Sequence, residues 1–112
     1  KLLAKRHLKD SVAIDPKFCR GYEWLMYVSR EMKEPDEVVK YGQRFEKYCA
    51  LDSELSKIMD KEYLRKLRYW LAEGYLTNGD ENSAKRLLNQ CASSDPEAIF
   101  GKKCHAALKK IR

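Results

Sequence analysis

Apolar residues recur at steps of three and four along almost the whole 112-residue chain, the spacing of one face of an α-helix. Leu3, Ala4, Leu8 and Val12 mark a first helix over residues 1–13. Asp15-Pro16 ends it, because the residue before Pro avoids helical backbone. Phe18, Tyr22, Leu25, Ser29 and Met32 share one side of a second helix, over 17–33. Pro35, Asp36 and Glu37 open a third, over 36–49: Pro needs no hydrogen bond there, and the carboxylates meet the positive helix end. Its stripe is Val38, Tyr41, Phe45 and Cys49. A nearly continuous apolar pattern from Leu55 to Leu76 predicts helix over 53–77, either unbroken or divided near residue 60. Asn78-Gly79-Asp80 reads as a turn, with Gly79 suited to a left-handed cap. Two further helices follow, over 81–93 and 97–111. The last is amphipathic: Phe100, Cys104, Ala107, Leu108 and Ile111 form its apolar stripe, and Lys102, Lys103, Lys109 and Lys110 are expected to face away. No alternating strand pattern competes, and the predicted fold class is all-α.

The pattern also repeats. Ala4-Lys5-Arg6, Leu8 and Asp15-Pro16 recur as Ala84-Lys85-Arg86, Leu88 and Asp95-Pro96, each shifted by 80 positions. Helices of this length, paired through tight turns and separated by Asp-Pro, describe antiparallel hairpins that bury their apolar faces on one another. Residues 65–98 resemble a tetratricopeptide repeat over its full 34-residue length. Leu71, Ala72 and Tyr75 match its first helix, and Gly79-Asp80 its turn. Ala84, Leu88 and the small Cys91 match its second helix, and Asp95-Pro96 its boundary. Arg68 stands where that repeat usually carries an early Trp. Residues 19–52 resemble a degenerate copy, with Met26 where Ala72 is small and Ser29 in place of the Tyr. The resemblance implies a short right-handed superhelix, made irregular by about 12 extra residues between Ala50 and Leu64. The expectation is a single domain over 1–112, cut from a longer chain because it begins without Met.

Composition narrows the function more than it defines it. With 36% charged residues, five Gly and three Pro, the surface is ionic and the turns few. Seven Tyr, three Phe and two Trp exclude a disordered tail. No apolar run approaches the length of a membrane helix. The net charge of +6 is spread among 17 acids, which makes nucleic acid an unlikely partner. Cys19, Cys49, Cys91 and Cys104 have no metal-ligand spacing and fall within apolar helical patterns. They are expected to be reduced and structural, in keeping with a cytoplasmic chain. His7 lacks a recognisable partner for acid–base work, and no catalytic residue, metal ligand or cofactor site is assigned.

Two surfaces remain. The resemblance implies that the exposed stripe of each first helix lines a concave groove. In this chain those stripes are Arg20, Glu23, Tyr27, Arg30 and Lys66, Tyr69, Glu73, Leu76. Ions around an aromatic residue suit a protein or peptide partner. The second surface is a basic stripe of Lys57, Lys61, Arg65 and Arg68, which share a face provided that the helix is continuous. Glu23, Tyr27, Tyr69 and Glu73 stand where tetratricopeptide domains that hold acidic chaperone tails carry Lys and Asn, so no such carboxylate clamp is expected. A ligand of mixed charge with an apolar anchor is expected instead. The leading expectation is therefore a non-catalytic binding scaffold. An accessory C-terminal domain of a larger bacterial enzyme, such as a glycosyltransferase, is the alternative. The opening helix lacks its repeat partner, so Leu2, Leu3 or Leu8 should leave apolar surface open to an upstream segment or to self-association.

Overall fold

A computed structural model describes residues 2–50, 57 and 59–111. The six helices are α1 (Leu2–Ile14), α2 (Cys19–Glu31), α3 (Pro35–Phe45), α4 (Lys61–Thr77), α5 (Glu81–Ser94) and α6 (Ile99–Lys110). A turn of π-helix, Glu46–Ala50, extends α3. Among the described residues there is no strand. Of the helix expected over residues 53 to about 60, residues 53–56 and 58 lie outside the described residues. Division near residue 60 is found: the Asp60 carboxylate accepts from the Glu62 N–H and caps a helix starting at Lys61.

The chain forms two compact units, residues 1–58 and 59–112. In the first, α2 packs on both α1 and α3. Its core holds Val12, Tyr22, Leu25, Met26, Val38, Tyr41, Phe45 and Cys49. In the second, α5 packs on α4 and α6, which also touch each other. Leu64, Leu67, Leu71, Leu87 and Leu88 fill the space between them. Ala72 and Ala84 are fully buried at the point where α4 and α5 approach. Ala72→Leu should overpack this contact and destabilise by about 1–3 kcal/mol. Thermal unfolding checks this, and an unchanged midpoint would remove the reason for a small residue there.

Both units turn their corners the same way. At the end of α4, the Asp80 N–H donates to the Tyr75 carbonyl and the Gly79 N–H to that of Leu76, with Gly79 at φ 84°. At the end of α2, Glu34 donates to Ser29 and Lys33 to Arg30, with Lys33 at φ 57°. The two ends are the same left-handed helix stop, easy for Gly79 and strained for Lys33. The Asp-Pro corners also match. Asp15 and Asp95 each accept, through Oδ1, the N–H two residues on, both at 3.1 Å. Pro16 and Pro96 therefore stand in a turn, and α2 starts two residues later than its apolar pattern predicts.

The four cysteines are paired, not reduced as expected. Cys19 bonds Cys49 and Cys91 bonds Cys104, with Cα atoms 6.1 and 6.0 Å apart. The apolar pattern correctly places Cys49, Cys91 and Cys104 inside a packed face, with Cys19 half-buried, but it carries no information on which faces meet.

In the first unit Lys5 is buried, 5% exposed, and its ammonium pairs with Glu34 and Glu37; Lys9 also reaches Glu37, at 3.3 Å. Burial alone would lower the Lys5 pKa, but hydrogen bonds to Glu34 and Glu37 outweigh it and hold the pKa above its usual value. Burial likewise pushes Glu37 upward, and donation from Lys5 and Lys9 brings it below the carboxylate range. The Glu37 contribution is thus present above its unfolded value of 4.5 and lost as pH falls through the lower folded one. That of Lys5 is present below 10.5 and fades as pH rises through the higher folded value. Urea midpoints should therefore drop on acidification from neutrality to below pH 4.5, and less so in Lys5→Met. Equal drops in both proteins would show that the network contributes nothing to acid stability.

Candidate functional site

The second unit carries a groove of about 340 Å³ between α4 and α6. Tyr69, Glu73 and Leu76 form the α4 wall, and Lys103, Ala107 and Lys110 the α6 wall. Steps of four and three place the α4 residues one above another on a single helix face. The α6 residues repeat this at steps of four and three. The helices run in the same direction, as successive antiparallel hairpins require. Tyr69, midway along α4, meets Phe100 in the first turn of α6, ring centroids 5.9 Å apart, and Leu76 and Ile111 also line the groove. Ala106 and Ala107 are short, and the groove exists because nothing larger projects between the two walls.

The α6 wall is held by groups behind it. The Glu62 carboxylate accepts the Phe100 N–H at 2.7 Å, which satisfies a donor in the first turn of α6. Arg65 pairs with the other Glu62 oxygen at 3.1 Å, lies 4.0 Å from Asp95, and donates to the Ser94 hydroxyl. The Cys91–Cys104 bridge ties α6 to α5 at the level of the next turn.

Three of the four expected α4 residues, Tyr69, Glu73 and Leu76, therefore line one groove. Lys66 does not; its ammonium lies over the rings of Tyr63 and Trp70, at 5.3 and 5.1 Å. On α2, Glu23 is buried and ion-paired to Arg20 at 3.5 Å. Tyr27 is 40% exposed and meets the 51% exposed Trp24 edge-on, while Arg30 is half-buried. Trp24 stands off the apolar stripe of α2, and periodicity alone does not mark it.

The basic stripe does not form as one face. The helix begins at Lys61, so Lys57, which is exposed, is not on it. Arg65 is 6% exposed and belongs to the network behind α6, and Arg68 is half-buried. Lys61 remains on the surface. Lys103 and Lys110 are exposed, as expected, and in addition edge the groove. Their seven-residue spacing around Ala106-Ala107 is the signal that sequence reasoning missed. Leu3 is 66% exposed and Leu8 half-buried, while the side chain of Leu2 is outside the described residues.

Among the described residues no three His, Cys, Asp or Glu side chains are grouped to hold a metal ion, and no helix is long and apolar enough to cross a membrane. No protein-family model matches the chain, and no curated protein is similar enough to count as a relative.

Proposed function

We propose that this chain is a non-catalytic, tetratricopeptide-like module that binds a protein or peptide along the exposed stripes of its first helices. The observation that carries the reading is the groove itself. Tyr69, Glu73 and Leu76 share one helix face by their register, and they line a concavity with the next first-type helix, α6. An aromatic ring, an acid and an aliphatic side chain facing two lysines are groups that orient a peptide. The repeated Asp-Pro corners and matching helix stops support the finer part of the reading, a stacked, superhelical array. The compartment is proposed from the paired cysteines: four cysteines in two bridges suit an environment that preserves disulfides. The cytoplasmic expectation rested on reduced thiols and is not carried forward.

Selection of random dodecapeptides on the intact chain tests the reading. A shared sequence pattern should emerge, and the affinity of the selected peptides should fall about tenfold in Tyr69→Ala or Tyr27→Ala, as for an interface aromatic. Failure of any pattern to emerge, or binding indifferent to both substitutions, would refute it.

A further inference from the structure

We propose that this chain pairs with a second copy of itself through the outward face of α1, the two helices running antiparallel about a two-fold axis. Helix α1 is apolar on two sides. Val12 is buried in the core of the first unit and Leu8 is half-buried, while Leu3 and Ile14 are 66% and 86% exposed. Leu3, His7, Asp10 and Ile14 follow one another at steps of four, three and four, and all four are exposed. At about 100° per residue they fall within about 60° of one another, which makes them a single seam along the helix. The seam is peculiar to α1. The 80-position shift that aligns α1 with α5 puts Ser83 and Ser94 where α1 carries Leu3 and Ile14. Both serines are used within their own unit, in the cap at Asp80 and as the acceptor for Arg65. The helical repeat therefore does not require apolar side chains at these places.

The seam complements itself in one arrangement. Two copies of α1 set antiparallel about a midpoint between Leu8 and Lys9 bring Leu3 against Ile14 of the second copy and His7 against its Asp10. The two-fold axis makes each pair twice. A parallel pair would instead set Asp10 on Asp10, and an antiparallel pair moved by one heptad would set Asp10 against Ile14 or His7 against Leu3. Among the described residues no hydrogen bond or ion pair engages the His7 ring or the Asp10 carboxylate, so the imidazole N–H can donate to that carboxylate. Ala4 and Ala13 flank the seam on either side, and small residues there let the helix axes approach to about 8 Å. Arg6 borders the seam one turn before Asp10, which offsets its charge. Lys5 and Lys9 are turned toward Glu34 and Glu37 and stay out of the contact. One helix from each copy buries less than a standard interface, so the dissociation constant is expected near 100 μM, to about a factor of ten.

Sedimentation equilibrium of the intact chain from about 5 to about 1,000 μM should show monomers in exchange with dimers. Leu3→Glu, Ile14→Lys and His7→Asp should each weaken the dimer about tenfold or more, since each sets a charge against an apolar side chain or an acid against an acid. An acid near the start of α1 and a base near its end suit the helix dipole, so the first two variants keep the helix, as unchanged circular dichroism should show. Mixing Leu3→Glu with Ile14→Lys should restore association as a heterodimer, because the two introduced charges meet only when the helices are antiparallel. Mixing His7→Asp with Asp10→Lys should do the same for the inner pair. A chain that stays monomeric throughout the range overturns the proposal. So does a dimer indifferent to Leu3→Glu and Ile14→Lys, which would move the contact to another exposed apolar residue such as Trp24 or Ile99. Failure of the Leu3→Glu and Ile14→Lys mixture to associate overturns the antiparallel pairing. The groove between α4 and α6 uses none of these residues, and the peptide-binding reading stands or falls separately.

Discussion

Breaking the two disulfides should cost each unit about 3–4 kcal/mol, a large share of what a helical unit of this size can hold. Cys91–Cys104 spans 13 positions and Cys19–Cys49 spans 30, so on loop-closure grounds the second stabilises slightly more. Double replacement by Ala, Cys91→Ala with Cys104→Ala and Cys19→Ala with Cys49→Ala, removes each bridge without adding buried polar atoms. The reporters are already in place, because Trp24 is in the first unit and Trp70 in the second. Urea unfolding followed in Trp24→Phe and Trp70→Phe backgrounds assigns each loss to its unit. Thiol titration of the denatured, unreduced protein should find no free thiol. Four free thiols, with midpoints unmoved by the replacements, would return all four cysteines to the role of small buried hydrophobes.

Gly101→Ala should destabilise the second unit by about 3 kcal/mol, more than an ordinary helical Gly-to-Ala change, which stabilises. A Cβ on Gly101 would stand 1.9 Å from the Asp95 carbonyl oxygen and 2.9 Å from its carbon. Both are backbone atoms of the Asp-Pro corner, so the chain itself has to move. That displacement would pull the Phe100 N–H away from Glu62 and disturb the α6 wall of the groove. Gly79→Ala is the contrasting case. No atom lies within 4 Å of its added Cβ, and the expected loss of about 1 kcal/mol comes from φ 84° alone. Gly21→Ala falls between them, since its Cβ would meet the Val12 and Phe18 side chains at 2.7 and 2.8 Å, and side chains yield more readily than backbone. Urea midpoints in the order Gly79→Ala, Gly21→Ala, Gly101→Ala, from highest to lowest, are expected. A Gly101→Ala protein as stable as the parent would mean that the corner is not closed as described.

The sequence by itself determined the elements and their inward faces. Helical periodicity follows from 3.6 residues per turn whatever the neighbours, so Leu71, Ala72, Ala84 and Leu88 declared themselves as core without any knowledge of what they touch. The caps were equally local: Gly79 and the Asp-Pro corners act through their own backbone and the next few residues. Charge placement was not local. Arg65 reads as part of a basic surface until the end of α5 is brought beside it, where Glu62 and the adjacent Ser94 and Asp95, from two places in the chain, surround its guanidinium. Lys103 and Lys110 read as a wet face until α4 stands beside them and turns the margin of α6 into the wall of a groove. The cysteine pairs belong to the same class, because a bond between Cys19 and Cys49 depends on two helix faces meeting across 30 residues. Periodicity records how far a side chain turns about its own helix axis. Which helix waits on the other side is decided by packing, and with it go ion pairs, disulfides and grooves.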